Sequence, residues 1–157
     1  MKRIWAPWRI QYIRAPEQKG CIFCDKPQVD KDEENLILHR GKHNFVIMNV
    51  YPYNPGHLMV VPYRHLGKLE DMKTEERNEH YAMVSQAVGI LRESTRTENF
   101  NIGMNLGRVA GAGIADHIHT HIVPRWNGDT NFMPVIGETR VMSESLTDIY
   151  QRLKVKF

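Results

Sequence analysis

The sequence predicts an α+β domain: a mostly antiparallel sheet of five strands, one long helix and a closing C-terminal helix. Three observations carry this class. Two short apolar runs, Leu36-Ile37-Leu38 and Phe45-Val46-Ile47-Met48, flank a Gly-containing connection, which is a hairpin signal. Residues 74–93 repeat apolar side chains at three- and four-residue steps, the period of a helix. Strands and helices then alternate in blocks, strands, helix, strands, helix, and not as regular βαβ units.

The elements follow in order. Gly20-Cys21-Ile22-Phe23-Cys24 puts a Cys-x-x-Cys on a turn, and the polar residues 25–35, with Pro27, read as a loop. After the hairpin, residues 51–56 hold two prolines and an Asn and form a loop; residues 57–61 are a third strand, ended by Pro62. Thr74 is placed to cap the long helix, with Glu75 and Glu76 where its dipole favours negative charge. Its apolar stripe is Tyr81, Val84, Ala87, Val88 and Leu91. Residues 99–105 are a fourth strand. Gly107, Gly111 and Gly113 mark a loop before Asp116, and residues 117–123 alternate strictly as a fifth strand. Ser143 is placed to cap the last helix, whose inner face is Leu146, Ile149, Tyr150 and Leu153.

With 157 residues, 41% hydrophobic and 25% charged, the composition is that of one globular domain and not of a disordered chain. No apolar run reaches the roughly 20 residues of a membrane span, and no apolar leader follows Met1. The expected location is therefore the cytoplasm, with no membrane partner. Net charge is +3, but residues 1–20 hold five basic side chains against Glu17, so the remainder is close to neutral. This describes a basic arm, with Trp5, Pro7 and Trp8 suited to docking on a partner surface. It does not describe a nucleic-acid reader, since no stacking-aromatic motif accompanies the charge.

The unusual count is histidine: eight, at 39, 43, 57, 65, 80, 117, 119 and 121. In a strand the imidazoles of His117, His119 and His121 share one face, about 6.6 Å apart between neighbours and about 13 Å from first to third. A Zn–N bond is only about 2.0–2.1 Å, so one metal does not take all three. Either two share a metal or the three do different work. Three unpartnered imidazoles would be costly to bury, which favours function over bland packing. A neutral imidazole is a good nucleophile toward phosphorus, a second can stabilise phosphoryl oxygens, and a Gly-rich loop can offer backbone N–H groups.

His117-Ile118-His119-Thr120-His121-Ile122-Val123 resembles the signature of the histidine triad (HIT) superfamily of nucleotide hydrolases and transferases. The resemblance extends to Cys21-Ile22-Phe23-Cys24, to residues 48–52, and to Pro55-Gly56-His57-Leu58-Met59-Val60-Val61-Pro62 with His65. The Trp5-Ala6-Pro7-Trp8-Arg9 segment, residues 112–117 and residues 124–132 are similar to the diadenosine tetraphosphate phosphorylase, or ATP adenylyltransferase, branch. This implies a HIT-like fold whose sheet continues across a homodimer. It divides the chain into an arm at 1–20, a HIT domain at 21–126 and a C-terminal extension at 127–157.

By the resemblance, His119 attacks the α-phosphate of an adenosine nucleotide and forms a covalent nucleotidyl-histidine. His121 contacts the phosphate and assists the leaving group, and His57 stands beside them. Asn49 takes the ribose position where many members carry Asp, Val50 holds the base, and Asn105 lies near the phosphates. A common Gln-Ser pair is absent; Gly113-Ile114 stands there, so backbone N–H groups at Gly113 replace a side-chain contact.

The Cys-x-x-Cys has three readings: a redox pair, half a zinc site, or coincidence. A thioredoxin-like pair opens a helix after a strand, which the polar residues after Cys24 do not suggest. Zinc needs two more ligands. His65 and His117 are the candidates, as in several members of the family this chain resembles, and the zinc would be structural. His39, His43 and His80 are expected on the surface. No organic cofactor is expected.

The leading reading is phosphorolysis of diadenosine tetraphosphate to ADP and ATP, with inorganic phosphate as acceptor. Alternatives are hydrolysis of dinucleoside polyphosphates or nucleoside phosphoramidates; metal-dependent hydrolysis with His119 and His121 on a catalytic zinc; and a non-catalytic nucleotide-binding scaffold.

Overall fold

A computed structural model describes residues 20–129 and 142–157. The expected arm at 1–20 therefore falls almost wholly outside the described residues, as does much of the extension.

Five strands form one antiparallel sheet in the order β1-β2-β3-β5-β4. They are β1 (Ile37–Arg40), β2 (Asn44–Met48), β3 (Leu58–Pro62), β4 (Asn99–Gly103) and β5 (Thr120–Arg125). β1 and β2 form the expected hairpin, closed by Gly41 N–H donating to Asn44 O. β5 lies between β3 and β4, with Met59 opposite His121 and Gly103 opposite the same residue from the other side. His121 therefore sits at the centre of three strands.

Among the described residues, four α-helices accompany the sheet: α1 (Ile22–Asp25), α2 (Asp32–Asn35), α3 (Thr74–Thr95) and α4 (Leu146–Lys154). The Cys-x-x-Cys segment read as a turn thus forms α1, and the polar stretch read as a loop holds α2; the Cys21 carbonyl caps α1 by accepting from the Cys24 and Asp25 N–H groups. The long helix begins as expected, but its cap is Lys73, whose N–H donates to Glu76 Oε2 at 2.7 Å. The last helix is capped by Ser145, not Ser143; its hydroxyl accepts from Asp148 N–H.

Alternation along the strands divides the core in two. Leu38, Val46, Met48, Leu58, Val60 and Ile122 face α3 and α4, where Met83, Val84, Ala87, Leu91, Ile149, Tyr150 and Leu153 cover them. Each such large apolar side chain contributes about 1.5–3 kcal/mol by leaving water. The helix stripe differs from expectation at Tyr81, which is 78% exposed. The inward position is the neighbouring His80, which shares the buried face of α3 with Met83, Val84, Ala87 and Leu91; step length alone admits either residue, since 81 also lies three before 84. The other sheet face carries Phe45, Ile47, Met59 and Val61, packed with Phe23 of α1. This second face holds the histidines. No helix among the described residues is long and apolar enough to cross a membrane.

Candidate active site

The ladder of β5 starts at Thr120, three residues later than the alternation suggests. Residues 117–119 approach the sheet without strand pairing, held by Ile118 N–H donating to Leu66 O at 2.7 Å. The histidines therefore depart from an even row. The rings of His119 and His121 lie 4.8 Å apart, and His121 and His57 5.0 Å. His117 turns instead toward His65, at 5.1 Å.

Backbone groups assign the protons. Tyr53 N–H donates to His57 Nδ1 at 3.0 Å, so His57 carries its proton on Nε2. That Nε2 donates to His121 Nδ1 at 2.9 Å, leaving the His121 proton on Nε2. His119 Nδ1 donates to His117 O at 2.8 Å, which leaves the lone pair on His119 Nε2. His117 Nε2 donates to Pro62 O at 2.8 Å and frees Nδ1 as an acceptor or metal ligand. Adjacent imidazoles thus have opposite character: His119 presents a nucleophilic nitrogen and His121 a hydrogen-bond donor.

Electrostatics keeps them neutral. Burial lowers the basicity of His119 and His117. It brings His121 to about 4, helped by the neighbouring His119. A neutral His119 keeps its lone pair available at physiological pH. Phe23 packs against the His119 ring at 4.9 Å, and Tyr53 lies over His57 at 4.7 Å.

A cavity of about 390 Å³ opens beside His121, lined also by Tyr53, Asn101, Gly103, Asn105 and Arg125. Arg125 is held by Asp129 at 2.6 Å. Asn49 joins the cluster through His57, its Nδ2 lying 3.4 Å from His57 Nδ1, while its Oδ1 accepts from Tyr51 N–H. Val50 and Gly113 are exposed on the loops after β2 and before residue 117.

Cys21, Cys24, His65 and His117 converge, with one ligand atom from each lying within 4.8 Å of the others. Cys21 Sγ is 3.2 Å from His117 Nδ1, and Cys24 Sγ is 3.3 Å from His65 Nδ1. Tetrahedral ligands at about 2.0–2.3 Å from a metal are spaced in this range, so the residues fit an S2N2 site. Burial, with the adjoining Cys21 thiol, pushes the Cys24 thiol up to about 11. A cation held by these four residues would supply the charge that lets both thiols ionise. The Cys-x-x-Cys does open a helical turn, contrary to the sequence reading. Two imidazoles beside it complete a donor set that could hold a metal ion.

Sequence reasoning missed three contributors. Tyr53 orients His57 through its backbone N–H, and Pro62 orients His117 through its carbonyl; neither leaves a mark on residue type. The third is His80, placed on the surface but 3% exposed, bonded to Asn44 Oδ1 at 2.9 Å and Thr120 Oγ1 at 2.7 Å. Its helical phase, in register with Val84 and Ala87, was the available signal.

Residues 30–128 match the family model described as HIT domain. The chain is 40% identical over 166 aligned residues to AP-4-A phosphorylase of Mycobacterium tuberculosis strain H37Rv, covering 100% of this chain and 85% of that protein. It is 25% identical over 91 residues to a bis(5'-adenosyl)-triphosphatase of Saccharomyces cerevisiae strain YJM789, covering 57% of this chain and 44% of that one. A Zn-bound histidine triad family protein from Mycobacterium smegmatis superposes with a TM-score of 0.69 at 25% identity, over 87% of this chain and 92% of that one. A hypothetical histidine triad nucleotide-binding protein from Sulfolobus tokodaii shares the fold, with a TM-score of 0.66 at 22% identity, over 87% of this chain and 88% of that one.

Proposed function

The chain belongs to the HIT domain family and is an enzyme of that family, and from that premise we propose that it cleaves diadenosine tetraphosphate by phosphorolysis through a nucleotidyl-His119. The observation that carries the reading is the fixed proton pattern, with the lone pair on His119 Nε2 and the proton on His121 Nε2.

His119 Nε2 attacks the α-phosphorus. A P–N bond forms, the bond from phosphorus to the bridging oxygen breaks, and ATP departs with the electron pair. The His121 Nε2–H donates to the phosphoryl and leaving oxygens, lowering the cost of the charge that develops there. An oxygen of inorganic phosphate then attacks the adduct, the P–N bond breaks, ADP forms, and one proton passes to solvent. Asn49 and Val50 are assigned to the transferred nucleoside. Asn105 and the backbone at Gly113 are assigned to the phosphates. The 40% identity to an AP-4-A phosphorylase along the whole chain supports this acceptor.

The Cys21, Cys24, His65 and His117 site is assigned to a structural zinc ion, supported by its donor set and by the Zn-bound neighbour. Once bound, the ion supplies charge to stabilise the thiolates. Among the described residues this is the one group of three or more such donors, and it excludes His119 and His121. That disfavours a catalytic metal on those two. β4 is a sheet edge with Ile102 50% exposed, and Tyr81 lies open on α3. These unpaired groups support a homodimer in which two β4 edges join, with residues 21–126 as the catalytic unit.

Hydrolysis is the second reading, favoured by the similarity to a bis(5'-adenosyl)-triphosphatase. Incubating the protein with diadenosine tetraphosphate, with and without phosphate, separates the two. ADP plus ATP formed only with phosphate means phosphorolysis; AMP plus ATP without it means hydrolysis. Tight nucleotide binding with no turnover would instead mark a scaffold protein.

A further inference from the structure

We propose that His80 is a positioning residue for the phosphoryl chemistry, acting through Thr120, the one residue between His119 and His121. The proposal rests on the reading of His119 as the nucleophile. His80 approaches Thr120 from the opposite side of the sheet, so it touches no reacting group.

The bonds form a directed chain. Glu79 accepts from the N–H groups of Lys42 at 2.8 Å and His43 at 2.7 Å, and from Asn44 Nδ2 at 2.9 Å. Burial opposes this charge, yet the donors hold the Glu79 carboxyl below the usual carboxylate range. Asn44 Nδ2 also donates to Glu76 O at 3.0 Å, which fixes the amide with Oδ1 toward His80. His80 Nδ1 must therefore donate to that oxygen, and His80 Nε2 must accept from the Thr120 hydroxyl. Every donor in the chain points one way, from the Thr120 hydroxyl at the start of β5 to the Glu79 carboxylate, and Thr120 lies between His119 and His121.

The position of Thr120 gives the chain its purpose. Residues 117–119 lie outside the ladder, and Thr120, paired with Val60, is where the segment joins the sheet. A side-chain bond there holds the peptide units on both sides of the residue. Around it the layer is apolar: Val46, Val60, Met83, Val84 and Ala87 are buried there. Hydrophobic packing is non-directional and tolerates small slides. Three buried polar side chains (Asn44, His80 and Thr120) admit one satisfied arrangement, because a shift strands a donor or acceptor. Burial keeps the His80 imidazole neutral, at about 4, which preserves the acceptor nitrogen.

The test uses Thr120→Val, close in shape but lacking the hydroxyl, Thr120→Ser, which restores it, and His80→Gln. Two readouts are taken on the full-length protein: steady-state turnover of diadenosine tetraphosphate, and ring 15N resonances of His119 and His121 by NMR. Thr120→Val is expected to lower kcat about tenfold with KM within twofold, and to move both ring resonances. Thr120→Ser should restore each, and His80→Gln should follow Thr120→Val. If Thr120→Val keeps kcat within twofold and leaves the ring resonances in place, the proposal is overturned. Loss of thermal stability with unmoved resonances also overturns it, by reducing the trio to packing. Should the wild type not turn over this substrate, the functional reading fails, and the resonances alone still decide the positioning role.

Discussion

The carbonyl oxygen of His117 accepts the Nδ1 proton of His119 at 2.8 Å, so a residue of the metal-type site sets the tautomer of the proposed nucleophile. Phe23, from the helical turn between the two cysteines, packs on both rings, at 5.5 Å from His117 and 4.9 Å from His119. The Cys/His cluster and the phosphoryl cluster are therefore one mechanical unit joined at two points.

Zinc removal should act through that junction. Elemental analysis is expected to find one zinc ion per chain, lost in Cys21→Ser and Cys24→Ser. Because the domain keeps its own core, chelation should lower Tm by several degrees without unfolding the protein, unlike small zinc fingers. Turnover should decline slowly as the metal leaves. Loss within mixing time, restored at once by added zinc, would assign the metal to the reaction itself.

Removing the nucleophile gives a sharper result. His119→Ala should abolish the acid-labile nucleotidyl adduct and reduce turnover by about 10³-fold or more, as removal of a covalent nucleophile does in other enzymes. Circular dichroism and Tm should stay near wild type, since Phe23, Ile37, Phe45 and Val61 hold that side of the core independently. Full turnover in this variant would falsify the covalent route.

Period and turn chemistry were enough to read the strand–helix order, the hairpin and the inner face of α4. The four metal-type donors could also be named, from the Cys-x-x-Cys and the resemblance to family members with this arrangement; with eight histidines in the chain, residue type alone left the choice open. What the sequence could not reveal were relationships made by backbone atoms, which carry no residue-type signature. Tyr53 N–H to His57 is one, and Pro62 O to His117, across 55 positions, is another. The start of β5 was hidden for a related reason: residues 117–119 alternate like a strand but have no ladder partner. His80 was misplaced because an imidazole looks polar on a helix until its partners, Asn44 and Thr120, arrive from two strands.

Gly56 controls the entry to His57. Its φ of +78° lies in the left-handed region, and a Cβ there would stand 3.3 Å from Leu91 Cδ2 and 3.4 Å from Pro124 Cγ. Gly56→Ala should cost about 1–2 kcal/mol from the backbone alone, with a further cost from the tight contact. A urea titration checks this: the midpoint should fall while the slope stays unchanged. An unshifted midpoint would mean the loop relaxes freely.

Acid stability tests the buried state of His80. Burial lowers its pKa from 6.5 to about 4 in the folded chain. Between those values the unfolded chain binds the proton and the folded chain does not, so folding stability falls as pH drops below 6.5. The loss levels off near pH 4, where the folded form also protonates, and above 6.5 the group contributes no slope. At 1.36 kcal/mol per pH unit, the full effect is on the order of 3 kcal/mol. His80→Gln removes the titrating group. The variant should be less stable than wild type at pH 7.5, with a shallower decline from pH 6.5 to 4. Parallel stability curves for the two proteins would show that His80 is already protonated, or equally basic, in the folded state.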